Sequence, residues 1–178
     1  MAIVPDTKNW TWVLERACPD CGFDPAAFGF RDVPGLTRDN VAAWQNVLAR
    51  DGLGVRPDDA TWSPLEYAAH VRDVFRIMHA RLNLMLVLAD PEFANWDQDE
   101  TAVEQSYAGQ DPARVSAELT AAGLGIASAF ELVPNATLGR TGRRGDGSYF
   151  TVESLATYFQ HDPVHHLWDV TGVRFARP

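Results

Sequence analysis

The sequence predicts an all-α protein, a four-helix bundle with an irregular N-terminal extension. Three observations predict it. Four segments carry apolar residues at spacings of three and four, each is bounded by helix-starting or helix-ending residues, and no series of strand patterns runs between them. A chain of 178 residues is long enough for one domain with a substantial core and short for two. The expected division is an extension over residues 1–36, packed on a bundle over residues 37–178.

The extension is rich in Pro, Gly and aromatics, among them Trp10, Trp12, Pro19, Pro25, Phe28, Phe30 and Pro34. It reads as an irregular, part-helical wrap that buries aromatics against the body. The first bundle helix is expected from Thr37, as cap, to Arg50. Val41, Trp44, Val47 and Leu48 form its apolar stripe, and Asp51-Gly52 ends it. The second has the clearest start: Ser63-Pro64-Leu65-Glu66 combines an N-cap serine, a proline at the first helical position and a glutamate three residues after the cap. Its pattern continues to Ala89 and stops at Asp90-Pro91. Residues 90–110 form an acidic connection with a short helical piece, long for a bundle loop. The third helix opens at Asp111-Pro112, with Val115, Leu119, Ala122, Ile126, Ala129 and Val133 as its seam. Gly123 and Gly125 weaken it or permit close packing. The basic stretch 139–148 reads as a turn or short hairpin. The fourth helix runs from near Thr151 to Thr171-Gly172, with Pro163 inside it, expected to kink or widen one turn.

Composition narrows the function. A formal net charge of −9 argues against nonspecific nucleic-acid binding and against an anionic membrane surface, which both reward positive charge. No apolar run approaches the roughly 18–20 residues of a membrane span. The N-terminus lacks a basic region followed by an apolar one, so a secretory signal is not expected and a cytoplasmic location is. Cys18 and Cys21 are then expected to be reduced.

Histidines carry the chemistry. His161 and His165 lie four residues apart, about 40° around a helix, so they share a stripe with Tyr158, Val164 and Trp168. His70 lies two turns inside the second helix, near the direction of Val74 and Ile77. Both faces point inward on this reading. His166 and His79 fall in other directions and are excluded. Three buried imidazoles without partners would cost several kcal/mol, and a divalent metal answers that cost. Imidazole suits zinc, nickel, copper or iron(II). Three protein ligands leave an open position, as in catalytic sites, whereas a structural zinc normally takes four. Such an ion lowers the pKa of water or a thiol toward neutrality. Glu66 and Asp73 flank His70 and are candidates for orienting an imidazole, although the capping box accounts for Glu66.

The segments WSPLEYAAHVRDV and HDPVHHLWDV together resemble the DinB superfamily, in particular the metal-binding domain of mycothiol-dependent maleylpyruvate isomerase. The resemblance runs from about residue 37 through the W-S-x-x-E-x-x-x-H helix start and the late H-x-x-x-H. It implies a four-helix bundle, often a homodimer, with a histidine triad holding zinc or nickel: His70, His161 and His165. It also implies a small-molecule substrate and a thiol cosubstrate such as mycothiol. No further domain is expected after the bundle, so the implied activity is the broader thiol transfer or isomerisation of a small electrophile, with metal-dependent hydrolysis as the nearest variant. A noncatalytic bundle with a structural metal is the reading from another class.

Other residues have weaker claims. Cys18-Pro19-Asp20-Cys21 is a C-x-x-C without the βαβ context of a redox motif. A zinc there would need two more ligands, with distal His or Asp partners conceivable; otherwise these are two small thiols in a turn. Arg140, Arg143 and Arg144 would suit the carboxylates of an acidic thiol or substrate, or simply be solvated. Trp96, Asp97, Asp99 and Tyr107 lie on the long connection expected near the bundle mouth. No phosphate-binding loop, nucleophile elbow or dinucleotide fingerprint is present.

Overall fold

A computed structural model describes residues 9–176; residues 1–8 of the expected extension lie outside the described residues. Four long helices form the bundle: α1 (Val33–Leu48), α2 (Pro64–Val87), α4 (Pro112–Glu131) and α5 (Val152–Thr171), with a short α3 (Gln98–Glu104) between α2 and α4. α4 and α5 each pack on both α1 and α2. The diagonal is closed through side chains, as where Phe130 meets Phe159 with ring centroids 5.4 Å apart. Among the described residues, no helix is long and apolar enough to cross a membrane.

The helix starts follow the capping residues. Ser63 accepts from the Glu66 backbone while Glu66 accepts from Ser63 N, so the expected capping box opens α2. Asp111 caps α4 by accepting from Arg114 N at 2.7 Å, and Thr151 caps α5 by accepting from Ser154 N at 3.0 Å. Gly172 ends α5 in the left-handed conformation, φ 69°. α1 differs from expectation. It begins at Val33, because Pro34 fits the first turn of a helix. Thr37 is therefore interior and fully buried, its hydroxyl donating to Val33 O at 2.8 Å and lying 3.1 Å from Gln160 Oε1.

The extension forms three 3-10 turns, Trp10–Leu14, Pro25–Ala27 and Phe30–Asp32. The basic stretch is a hairpin of β2 (Thr141–Arg144) and β3 (Tyr149–Thr151). A two-residue strand, β1 (Glu92–Phe93), pairs in parallel with β2, giving a small sheet of order β1-β2-β3.

Gly123 is a packing requirement. A Cβ there would collide with Val41 Cγ2 and lie 2.8 Å from Phe75 Cε2, so α4 can approach α1 and α2 only without a side chain. Beside it, Arg72 and Asp73 form a buried ion pair at 2.8 Å. Tyr107 donates to Asp73 Oδ2 at 2.7 Å and Arg72 reaches Glu118 at 3.1 Å. Burial would raise the Asp73 carboxyl, but the Arg72 and Tyr107 donors hold it below its ordinary value.

Gly123→Ala should destabilise the fold by about 1–3 kcal/mol through overpacking, read as a lowered midpoint in thermal unfolding. Asp73 contributes stability that is present above its unfolded pKa of about 3.9 and is lost as pH falls through its depressed native value. Asp73→Asn should cost about 3–5 kcal/mol at neutral pH, because it leaves Arg72 buried with its closest charge removed. It should also weaken the acid limb of a stability–pH curve; an unchanged limb would show that Asp73 does not supply it.

Candidate metal centre

α5 carries two adjacent pairs of potential ligands at i,i+4: His161 with His165, and Asp162 with His166. Successive residues on a helix point about 100° apart, so the pairs face different neighbours. One pair faces α2 and the other faces the N-terminal extension.

The pair facing α2 meets His70. His70, Asp162 and His166 each offer a ligand atom, and these atoms lie within 4.8 Å of one another. His70 Nε2 is 3.4 Å from Asp162 Oδ1 and His166 Nε2 is 3.8 Å from the same oxygen. The His70 and His166 rings are nearly perpendicular, 4.8 Å between centroids. His70 is completely buried, and neither of its ring nitrogens, nor Asp162 Oδ1, has a hydrogen-bond partner in acceptable geometry. Trp96 stacks parallel on His70 at 5.2 Å, and Trp62 closes another side at 5.3 Å. The Trp96 indole N–H donates to Thr101 Oγ1 at 2.7 Å, which fixes that stack. His166 Nδ1 lies 2.8 Å from Asp169 Oδ2. With the proton on Nδ1, His166 donates to that carboxylate and keeps the Nε2 lone pair for the cluster.

The protonation states suit ligation. Burial pushes the His70 pKa down, so its imidazole is neutral. Burial alone would raise Asp162, but positive charge on the neighbouring His70 or His166 would hold it below the usual carboxylate range. A neutral imidazole beside a carboxylate is a donor pair that suits a divalent ion. Orphaned buried nitrogens beside an orphaned oxygen fit such an ion better than they fit a hydrogen-bonded core.

The other pair meets the two cysteines. Cys18, Cys21, His161 and His165 form a second group with ligand atoms within 4.8 Å of one another. Cys18 Sγ is 3.6 Å from His165 Nδ1. His161 Nε2 is buried without a partner. Burial, with His165 close by, pushes the His161 pKa down to about 4, and burial with His166 close by lowers His165. Trp10 packs on both rings at 5.3 Å.

The expected triad of His70, His161 and His165 is thus divided between the two groups. His161 and His165 do share one stripe, but it faces the extension. His166, excluded on wheel geometry, is the histidine beside His70. The signal that would have found it is Asp162-x-x-x-His166, the same i,i+4 spacing one residue on. His79 belongs to neither group and lies against Gly125, its Cε1 3.8 Å from where a Cβ would sit. Asp73 touches no imidazole and instead holds Arg72 and Tyr107. Glu66 is the capping residue and also accepts from Arg56 Nε at 2.9 Å.

A cavity of about 800 Å³ opens beside the first cluster. Asp162, His166, Tyr67, Trp62 and Trp96 line it there; Arg81, Arg144 and Tyr158 line another part, and Trp10, His161 and His165 also reach it. Arg81 is 5% exposed, donates to Ala94 O at 2.9 Å, and has no carboxylate partner among the described residues. Burial, with Arg144 nearby, lowers its pKa to about 10. Of the three basic-loop arginines, Arg144 reaches the cavity while bonded to Asp146 at 2.6 Å, Arg140 caps α2 by donating to Met85 O at 2.6 Å, and Arg143 pairs with Asp90 at 3.2 Å. Trp96, Asp97 and Asp99 line the cavity, whereas Tyr107 is buried in the core.

A helical bundle with nitrogen and oxygen donors converging from two of its helices is an architecture in which bundle proteins build metal sites. The family model for the DinB superfamily matches residues 36–170, and the chain belongs to that superfamily. No curated protein matches it at the sequence level. Among solved structures it is similar to YfiT from Bacillus subtilis, described as a probable metal-dependent hydrolase with an unusual four-helix bundle topology. The likeness has a TM-score of 0.72 and 16% sequence identity, over 93% of this chain and 95% of that chain. At that identity the likeness shows the fold.

Proposed function

We propose that the chain is a metal-dependent enzyme whose centre is His70, Asp162 and His166, acting on a small electrophile held in the adjoining cavity. The observation that carries this reading is His70: a fully buried imidazole with neither nitrogen hydrogen-bonded, its Nε2 3.4 Å from the Asp162 carboxylate and its ring against a second imidazole beside a cavity. A divalent ion in that set supplies Lewis-acid polarisation and lowers the pKa of a nucleophile toward neutrality.

The chain's own residues do the rest. Trp96 and Trp62 clamp His70 and exclude water from it. Asp169 orients His166. Asp162 adds the negative charge that favours a divalent cation. Tyr67 lines the cavity, its ring 5.0 Å from that of His166. Burial raises its pKa, so its phenol stays protonated and can donate to oxygen charge developing on the substrate. Arg81, buried without a carboxylate, fits an anionic group on the substrate or cosubstrate.

Two nucleophiles suit this centre. A thiol such as mycothiol accords with the sequence resemblance, and about 800 Å³ leaves room for a cosubstrate beside an electrophile. Water accords with the donor set, because two imidazoles and one carboxylate are the ligands of several hydrolytic zinc enzymes. Zinc and nickel are the ions proposed, and a cytoplasmic location suits the two unpaired cysteines.

His70→Ala and His166→Ala should each contain about one equivalent less metal than the unaltered chain, measured by elemental analysis. Unchanged content in both would remove this centre. Turnover of a panel of small electrophiles, with and without added thiol, then separates the nucleophiles: strict thiol dependence supports transfer, and thiol-independent turnover supports hydrolysis. Arg81→Met should raise KM at least about tenfold for carboxylate-bearing substrates and leave uncharged analogues little changed.

A further inference from the structure

We propose that Cys18, Cys21, His161 and His165 form a second metal site, a closed four-ligand zinc centre that fastens the N-terminal extension to α5. It is separate from the centre proposed above and shares no ligand with it.

Two thiols and two imidazoles are a structural zinc set, and the C-x2-C and H-x3-H spacings are those by which such sites are commonly built. The distances agree. Zinc bonds of about 2.3 Å to sulfur and about 2.0 Å to nitrogen give tetrahedral edges of roughly 3.3–3.8 Å. Cys18 Sγ and His165 Nδ1 are already 3.6 Å apart, and all four ligand atoms lie within 4.8 Å. Small side-chain rotations close the remainder.

The local backbone presents the sulfurs together. Cys18 N donates to Phe23 O at 2.7 Å and Gly22 N donates to Cys18 O at 3.0 Å, curling 18–23 into a tight loop. Gly22 has φ +77°, a conformation that few side-chain-bearing residues adopt. Phe23 N donates to Cys21 Sγ at 3.4 Å, a bond that favours a charged sulfur.

Both thiols are enclosed, and one imidazole nitrogen beside them is orphaned. Cys18 is 1% exposed and Cys21 0%, and His161 Nε2 is buried without a partner. The βαβ context of a redox C-x-x-C is absent among the described residues, where Cys18 and Cys21 lie in a loop packed on α5. Four protein ligands leave no position for substrate, which separates this site from the three-ligand centre.

The site has structural work to do. Cys18, Cys21, Phe23 and Val164 form a small cluster apart from the main core, packed by Trp12, Phe28, Trp168 and Phe175. The C-terminal tail joins it: Phe175 N donates to Cys21 O at 2.7 Å and Arg174 donates to Pro19 O at 2.7 Å. A cluster this small is typical of segments stabilised by a metal rather than by apolar burial alone. Closing it also holds Trp10 against His161 and His165, beside the cavity.

Cobalt(II) substitution of the full reduced chain tests the proposal. The expected result is a near-ultraviolet thiolate-to-cobalt charge-transfer band with strong visible bands of four-coordinate cobalt. The band should be lost in Cys21→Ser and His161→Ala and retained in His166→Ala. Cobalt bound without a charge-transfer band, or a band that survives Cys21→Ser, would overturn the site. The unaltered zinc-loaded chain gives an independent readout should a variant not fold: mercurial titration of its thiols should release one zinc per two thiols, and release of none would equally overturn it. Because His166→Ala reports on the other centre, failure of one site is distinguishable from failure of the other.

Discussion

A turn of α5 by one residue, about 100°, would carry Asp162 and His166 away from His70, and His161 and His165 away from the cysteines. Both candidate sites therefore depend on the rotational register of a single helix. That register is fixed by contacts with α1 in the middle of the ligand run. Asn40 Nδ2 donates to Pro163 O at 2.8 Å, and the Thr37 hydroxyl lies 3.1 Å from Gln160 Oε1. The Thr151 box sets where the helix starts and Gly172 sets where it stops. Pro163 sits between the two members of each ligand pair, within a helix that stays continuous from Val152 to Thr171.

The bundle surrounding that helix is tight where it must position His70. α2 carries His70, and two turns or less from it lie the buried Arg72–Asp73 pair and Phe75, against which Gly123 closes. Buried charge of this kind is costly unless fully paired. Here Asp73 is met by Arg72, Arg76 and Tyr107, and Arg72 also by Gln110 and Glu118, so the network is well satisfied. The unsatisfied atoms concentrate elsewhere, at His70, His161 and Asp162, together with Asn40, Trp44 and Gln160.

The two clusters divide between them the residues of the single histidine triad read from the sequence. One has three donors and borders the cavity; the other has four, and its two histidines reach the same cavity beside Trp10. His165 and His166 are consecutive in the chain with ring centroids 5.9 Å apart, so the sites are neighbours on one helix. An ion in the closed site would restrain α5 and the extension, and with them the pose of Asp162 and His166 toward α2.

Much of the fold was legible in the sequence because its signals are local. Ser63-Pro64-x-Glu66, Asp111-Pro112, Thr151 and Gly172 act within one turn of where they stand, and they set three of the four bundle helices to within two or three residues. Pro34 was equally local, but its reading as a helix-starting residue competed with Thr37 as a cap. The presence of histidines at helical spacing, and the metal-site character they imply, was also there to read. Tertiary structure alone decided which stripe of α5 faces which neighbour. The four consecutive-stripe residues 161, 162, 165 and 166 differ by one residue in register, and ideal helix angles cannot say where the extension lies around the helix. Only the packed chain brings Cys18 and Cys21 across some 140 residues to His161 and His165, because that meeting is set by long-range burial of aromatics rather than by any pattern within a single turn.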